Sequence, residues 1–182
     1  NSVTADADIS RLARLHPSTE IIVTSDSVEH ARRLATRLTA WGVQTPVPVL
    51  VEFGIPNQRS GCRTQDEVKA VLDEIGQHPQ ALIPAGVLGY EGLLETGNRA
   101  EEASAVQRWL GQLSQAAELA ASRKLYKNEC IISAGGSAFL DIVLDFMSTF
   151  RPAWPHRHVL RPGCAVVHDD GWYAGFAQAL KA

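Results

Sequence analysis

The sequence predicts an α/β fold built on a parallel sheet, and three observations predict it. Short runs rich in β-branched residues recur along the chain, each is followed by apolar residues at helical spacing, and capping residues and glycines stand at the joints. Strands that alternate with crossover helices give either a doubly wound open sheet or a (β/α)8 barrel. Both place ligands at the C-terminal ends of the strands, in the loops that lead into the following helices.

Taken in order, Ile9, Leu12 and Leu15 carry a first helical stripe, as if the text began in the middle of an element. Glu20 to Thr24 is too short for a helix and suits a buried parallel strand. Asp26, with Glu29 three residues later, opens a helix whose apolar face is Val28, Ala31, Leu34, Leu38 and Trp41, and Gly42 stands at its end. Val47 to Phe53 is the second strand, with Pro46 and Pro48 at its start, where a missing N–H is tolerated. After a loop over 54–63, Thr64 and Glu67 form a capping box for a helix that buries Val68, Val71, Leu72 and Ile75 and stops at Gly76.

Ala81 to Leu88, interrupted by Pro84, is the third strand and feeds a loop from Gly89 to about Asn98. A long helix from Arg99 to Leu125 carries Val106, Leu110, Leu113, Ala117 and Ala120 on one side. Glu129 to Ser133 is the fourth strand, followed by a short helix with Phe139, Ile142, Val143 and Phe146. The rhythm then breaks: Pro152, Pro155, Pro162 and the alternation in Val159 to Val167 read as extended strand and turn.

Composition narrows the function classes. The 182 residues are 45% hydrophobic and 20% charged, which fits a packed protein, and 17 basic against 20 acidic residues leave a net charge of -3. There is no basic surplus for a nucleic-acid backbone or an anionic membrane. No apolar run is long enough to span a bilayer, and the N-terminal stretch with Asp6, Asp8, Arg11 and Arg14 lacks the apolar centre of a signal peptide. Cys62, Cys130 and Cys164 are odd in number and match no zinc spacing, so free thiols in a reducing, cytoplasmic setting are expected.

Three loops lie where a parallel sheet binds ligands. Ser133-Ala134-Gly135-Gly136-Ser137 sits between a strand and a helix, where glycines admit close approach and unpaired N–H groups with the helix dipole favour a phosphate. It is neither a Walker A loop nor a full G-x-G-x-x-G, and a glycine turn for tight strand-helix packing is the competing reading. Arg59, in Pro56-Asn57-Gln58-Arg59-Ser60-Gly61-Cys62, is off any helical face and is placed to hold a phenolate, carboxylate or phosphate oxygen; a surface salt bridge is its plain alternative. Tyr90, in Gly89-Tyr90-Glu91-Gly92, is a stacking or hydroxyl group or else a rim aromatic. His156 and His158 share a strand face but have no third ligand nearby, and His168-Asp169-Asp170 runs into Gly171, so no metal site is assigned.

Together, residues 51–64 (Val-Glu-Phe-Gly-Ile-Pro-Asn-Gln-Arg-Ser-Gly-Cys-Arg-Thr), 86–92 (Gly-Val-Leu-Gly-Tyr-Glu-Gly), 133–137 (Ser-Ala-Gly-Gly-Ser) and 160–164 (Leu-Arg-Pro-Gly-Cys) resemble successive motifs of fold-type III pyridoxal-phosphate enzymes. Among these enzymes they look like the D-serine dehydratase, or D-serine deaminase-like, and D-threonine aldolase group, related to alanine racemase. The sequence departs from it at Phe53-Gly54, where relatives often carry an acid, and at Ser137-Ala138, where many have Gly-Thr.

The resemblance implies a partial (β/α)8 TIM-type barrel of the alanine racemase N-terminal kind over 1–158, with 159–182 leading into a C-terminal β domain. It implies pyridoxal 5'-phosphate as cofactor, with Arg59 at its phenolic oxygen, Gly135, Gly136 and Ser137 as the phosphate cradle, and Tyr90 in the cofactor or substrate pocket. It further implies a D-amino acid as the small-molecule substrate, a homodimer as a compatible assembly and, in metal-dependent members, a zinc or manganese ion bound in the later β domain. The family's Schiff-base lysine lies on the first barrel strand. Lys69, Lys124, Lys127 and Lys181 are all misplaced for it, so the lysine is expected upstream of Asn1, and the chain is expected to be an internal piece that is inactive alone. The other readings are a non-catalytic pyridoxal-phosphate carrier, an amino-acid racemase of the same fold, and an open-sheet phosphate-binding or sugar-processing domain.

Overall fold

The computed structural model describes residues 2–167, so His168-Asp169-Asp170, Lys181 and most of the expected C-terminal transition lie outside the described residues. The helices are α1 (Asp6–Leu15), α2 (Val28–Ala40), α3 (Gln65–Gly76), α4 (Arg99–Ala121) and α5 (Leu140–Thr149). The strands are β1 (Val23–Ser25), β2 (Val47–Phe53), β3 (Leu82–Gly89), β4 (Cys130–Ser133) and β5 (His156–Val159).

All four strand pairs are parallel and the order in the sheet is β1-β2-β3-β4-β5. A doubly wound sheet reverses its strand order at a switch point, and this one never does. The consecutive order is that of one arc of a (β/α)8 barrel.

Alternation along the strands divides the buried residues between two faces. Val49, Val51, Phe53, Val87 and Ile132 join the helices in one large core, to which α2 gives Leu34 and Leu38, α3 gives Leu72 and Ile75, and α4 gives Leu110 and Leu113. Each such side chain contributes about 1.5–3 kcal/mol by leaving water. On the opposite face Leu50, Ala85, Leu88 and Ile131 form a separate small cluster, with Ile22 and Val159 against it. This second face is the concave side of the arc.

Several joints differ from the sequence expectation for local reasons. Ser27, not Asp26, caps α2, its hydroxyl accepting the His30 N–H at 3.2 Å. Trp41 stands outside the helix in a non-helical conformation and is 56% exposed, so it does not extend the buried stripe, while Gly42 takes the left-handed φ of +70° that ends it. Leu15, the last residue of α1, is likewise exposed. Thr64 caps α3 through the Glu67 N–H, and the Glu67 carboxylate answers the Arg63 N–H instead of that of Thr64. The long helix stops at Ala121, short of Leu125, because Leu125 leads into a tight turn with Lys127 and Asn128 at positive φ.

The last strand lies earlier than expected. His156–Val159 pairs with β4, whereas 163–165 is a single 3-10 turn.

Candidate functional site

The concave face and the loops at the C-terminal strand ends enclose a cavity of about 770 Å³, within the range that holds a small ligand or cofactor. Its wall is read from alternate strand positions: Thr24 on β1, Leu50 and Glu52 on β2, Leu88 on β3, Ile131 and Ser133 on β4, Val159 on β5. Arg59, Tyr90, Gly136 and Arg161 stand at the loop end. The cavity therefore gathers residues from all three loops singled out in the sequence.

Arg59 sits on a braced loop. After β2 the chain turns out and returns so that Cys62 pairs with the strand end, the Cys62 N–H donating to the Glu52 carbonyl and the Gly54 N–H to the Cys62 carbonyl, each at 2.8 Å. The Arg63 guanidinium crosses beneath and donates to the carbonyls of Ser60 (2.9 Å), Gln58 (3.3 Å) and Arg59 itself. A Cβ at Gly54 would overlap that guanidinium, and one at Gly61, whose φ is +109°, would overlap the Gly54 backbone. Asp26, freed from capping, accepts the Gly61 N–H at 3.1 Å. With its backbone held this way, the exposed Arg59 side chain has no acidic partner among the described residues.

Arg161 is the site residue that the motif reading did not single out. Its Nε donates to Ser133 Oγ (2.9 Å), its Nη2 to the Gly89 carbonyl (2.6 Å), and its own N–H to the Gly135 carbonyl (3.1 Å). Both side-chain acceptors are neutral, so the charge is oriented without being cancelled. The available signal was spacing: Val159 and Arg161, two apart, continue one face of the last strand into the cavity.

The glycine loop behaves differently from a free helix N-terminus. Three residues, 137–139, separate it from α5, and the Gly135 and Gly136 N–H groups point to the Glu91 carboxylate at 3.2 and 2.6 Å. Ser137, next along, accepts the Cys164 N–H at 3.2 Å, which leaves its hydroxyl hydrogen to donate. Tyr90 lies over the glycines, where a Cβ at Gly136 would come within 2.5 Å of its ring.

No lysine lines the cavity. Lys69 pairs with Asp73 on the outer surface, and Lys127 pairs with Glu20 at the N-terminal end of the strands. His156 and His158 face away from the cavity into an aromatic cluster with Phe150 and Trp154, their ring centroids 5.0 Å apart. Burial, and then the neighbouring His156 and Arg151, hold the His158 pKa below the usual histidine value. Among the described residues no group of three His, Cys, Asp or Glu side chains is arranged to hold a metal.

No family model and no curated protein matches the sequence. Solved structures do. D-threonine aldolase from Filomicrobium marinum superposes with a TM-score of 0.68 at 22% identity, over 90% of this chain and 41% of its own. The fold is that of the fold-type III pyridoxal-phosphate enzymes. Alanine racemase from E. faecalis (TM-score 0.58, 15% identity) matches 93% of the chain and 39% of its own length. D-threo-3-hydroxyaspartate dehydratase from Delftia sp. HT23 (TM-score 0.57, 18% identity) matches 85% and 39%. The chain thus spans about two fifths of the length of these neighbours. The cavity described above lies on the concave face of the five-stranded arc and takes in the loops at the C-terminal strand ends, the end where parallel α/β folds place their ligands.

Proposed function

We propose that this chain forms the cofactor-facing arc of a pyridoxal-phosphate-dependent lyase acting on D-amino acids, of the D-serine dehydratase or D-threonine aldolase kind. The observation that carries the reading is a pair of guanidinium groups, Arg59 and Arg161, that flank one cavity with no acidic partner among the described residues, in a chain whose net charge is -3. Glu20 and Glu52 also line the cavity, but neither pairs with these two arginines, so the guanidinium groups at the loop end, Arg161 aimed by Ser133 and Gly89 and Arg59 on a braced loop, favour an anionic ligand there.

The residues present fit pyridoxal phosphate. The cavity has the volume for it, Ser137 keeps a hydroxyl hydrogen to give to a phosphate oxygen, and the braced Arg59 suits a phenolic oxygen. Bound there, the cofactor would supply the electron sink for charge developing at the substrate Cα. Arg161 would hold the group's orientation through its fixed tie to Ser133, Tyr90 would cover it at the rim, and Leu50, Leu88 and Ile131 would exclude water below. The Gly135 and Gly136 N–H groups serve Glu91, so within that loop the donor left for a phosphate would be Ser137, which adjoins the lining residue Gly136 without itself lining the cavity. On this reading the lysine that would carry the cofactor comes from outside residues 2–167, since no lysine lines the cavity.

The test is a binding titration of the chain with pyridoxal 5'-phosphate against pyridoxal, followed by absorbance and equilibrium dialysis. Reversible one-to-one binding of the phosphorylated form, competed by inorganic phosphate and weakened in Arg59→Met and Arg161→Met, is expected. Equal binding of both forms, or unchanged binding in the two variants, would count against the reading.

A further inference from the structure

Glu91 is fully buried, its carboxylate has no cation within ion-pair distance among the described residues, and the function proposed above gives it no contact with the ligand. A carboxylate taken from water is costly unless charge-assisted hydrogen bonds replace the water. Here the replacements are two successive backbone donors, Gly136 N–H on Oε1 at 2.6 Å and Gly135 N–H on Oε2 at 3.2 Å. They lie on the loop after β4, whereas Glu91 lies on the loop after β3. The bonds therefore tie together two loops of the cavity mouth that the sheet itself does not connect.

The residues on either side of Glu91 show what the tie governs. Tyr90 lines the cavity, and its ring is confined between Gly92 and Gly136: a Cβ on Gly92 would overlap the phenol end, and one on Gly136 would lie 2.5 Å from Cε2. The same Cβ on Gly136 would stand 3.4 Å from Glu91 Oε1. Ring, carboxylate and glycine loop are thus packed as one unit, in which the carboxylate fixes the distance between the loops and the glycines leave room for the ring. Gly135, at φ +87°, holds the left-handed conformation that turns two successive N–H groups toward one side.

We propose that Glu91 is a positioning residue: its carboxylate fills the anion nest of the β4 loop and so fixes the Tyr90 ring at the mouth of the cavity. A ligand phosphate is then excluded from the Gly135 and Gly136 donors and directed to Ser137. The clamp stands on the geometry above, and its effect on ligand rests on the pyridoxal-phosphate reading.

Glu91→Gln tests it, because a glutamine places an N–H₂ group against one of the two N–H donors and keeps a single acceptor. The expected result is faster hydrogen exchange at Gly135 and Gly136, by roughly tenfold or more, with no change at Val71 and Leu72 in α3. The ¹⁹F resonance of fluorotyrosine at position 90 shifts, and the dissociation constant for pyridoxal 5'-phosphate rises roughly tenfold. In Glu91→Ala, added formate restores the loop protection and the resonance. Gly136→Ala, which keeps the carboxylate, displaces the ring directly and reproduces the resonance shift if Glu91→Gln does not fold. Unchanged exchange at both glycines in Glu91→Gln overturns the clamp, and released glycines with an unmoved Tyr90 resonance overturn its positioning role. If the unaltered chain binds no pyridoxal phosphate, the functional reading fails instead, and exchange and resonance alone decide the role of Glu91.

Discussion

Arg161 donates from Nε to Ser133 Oγ at 2.9 Å, and Ser133 donates onward to the Val159 carbonyl at 2.9 Å, so one chain of bonds joins the cavity arginine to the ends of β4 and β5. The serine is both the acceptor that aims the guanidinium and a tie between neighbouring strands. Ser133→Ala is expected to lower stability by about 1 kcal/mol and to weaken pyridoxal-phosphate binding a few-fold. Arg161→Met, which removes the charge, should weaken binding roughly tenfold to a hundredfold with a smaller stability loss. Urea denaturation and dialysis on the two variants check this, and unchanged binding in Ser133→Ala would deny Ser133 its orienting role.

The brace under Arg59 gives the second prediction. Arg63→Ala releases the carbonyls of Gln58, Arg59 and Ser60 from their shared donor. Ligand affinity should fall nearly as far as in Arg59→Met although residue 63 does not line the cavity. Gly61→Ala should cost more stability, about 1–3 kcal/mol, since φ is +109° and the added Cβ meets the Gly54 backbone. Thermal melts beside titrations separate the two effects.

Much of this was legible in the sequence because local signals and tertiary packing agree. The second strand at Val47–Phe53 and the caps at Thr64 and Gly42 follow from residue type and spacing alone. Periodicity alone left barrel and open sheet both standing; the motif resemblance chose the barrel, and the consecutive strand order agrees with it. The role of Asp26 was illegible because an acid before a helix caps it in most contexts, and here a neighbouring loop offered the Gly61 N–H while Ser27 took the cap. Gly135 and Gly136 read as free donors because nothing in the linear text places Glu91, 44 and 45 residues away, against them.

Gly86 is the tightest point of the sheet. The register between β2 and β3 shifts between Val49 and Leu50, opposite Pro84 and Gly86, and Gly86 takes φ +134° beside the Ile131 backbone. Gly86→Ala is expected to destabilise the chain by more than about 3 kcal/mol, because neither the dihedral angle nor the space admits a side chain. An unchanged urea midpoint would show that the bulge relaxes.

Stability on the acid side should depend on Glu74. This buried carboxylate receives two Arg32 bonds at 2.9 Å, and Arg32 first, with His78 after it, holds its pKa below the usual glutamate value. A carboxyl depressed in the folded state contributes stability above its unfolded pKa, about 4.3, and loses it as pH falls through the folded value. Glu74→Gln should therefore show a shallower loss of stability below about pH 4.3, measured by urea midpoints across that range.

Thiol chemistry should be selective. Burial pushes the Cys62 and Cys130 thiols up to about 12, whereas Cys164 is half-buried beside Ser137. Near neutral pH, Cys62 and Cys130 are expected to react with an aromatic disulfide reagent only on unfolding, since the thiolate is the nucleophile. Bound pyridoxal phosphate is expected to slow any reaction of Cys164, and peptide mapping assigns the modified thiols.

The central claim is that the concave cavity of this barrel arc holds pyridoxal phosphate between Arg59 and Arg161 with its phosphate on Ser137. The most direct measurement is a crystal structure of the chain soaked with pyridoxal 5'-phosphate. The account predicts the ring in the cavity, the phosphate within hydrogen-bond distance of Ser137 Oγ, the Glu91 bonds to Gly135 and Gly136 intact, and no covalent link to a lysine among residues 2–167. A ligand seated on the outer arginines of α2, or joined at full occupancy to Lys69, Lys124 or Lys127, would contradict it.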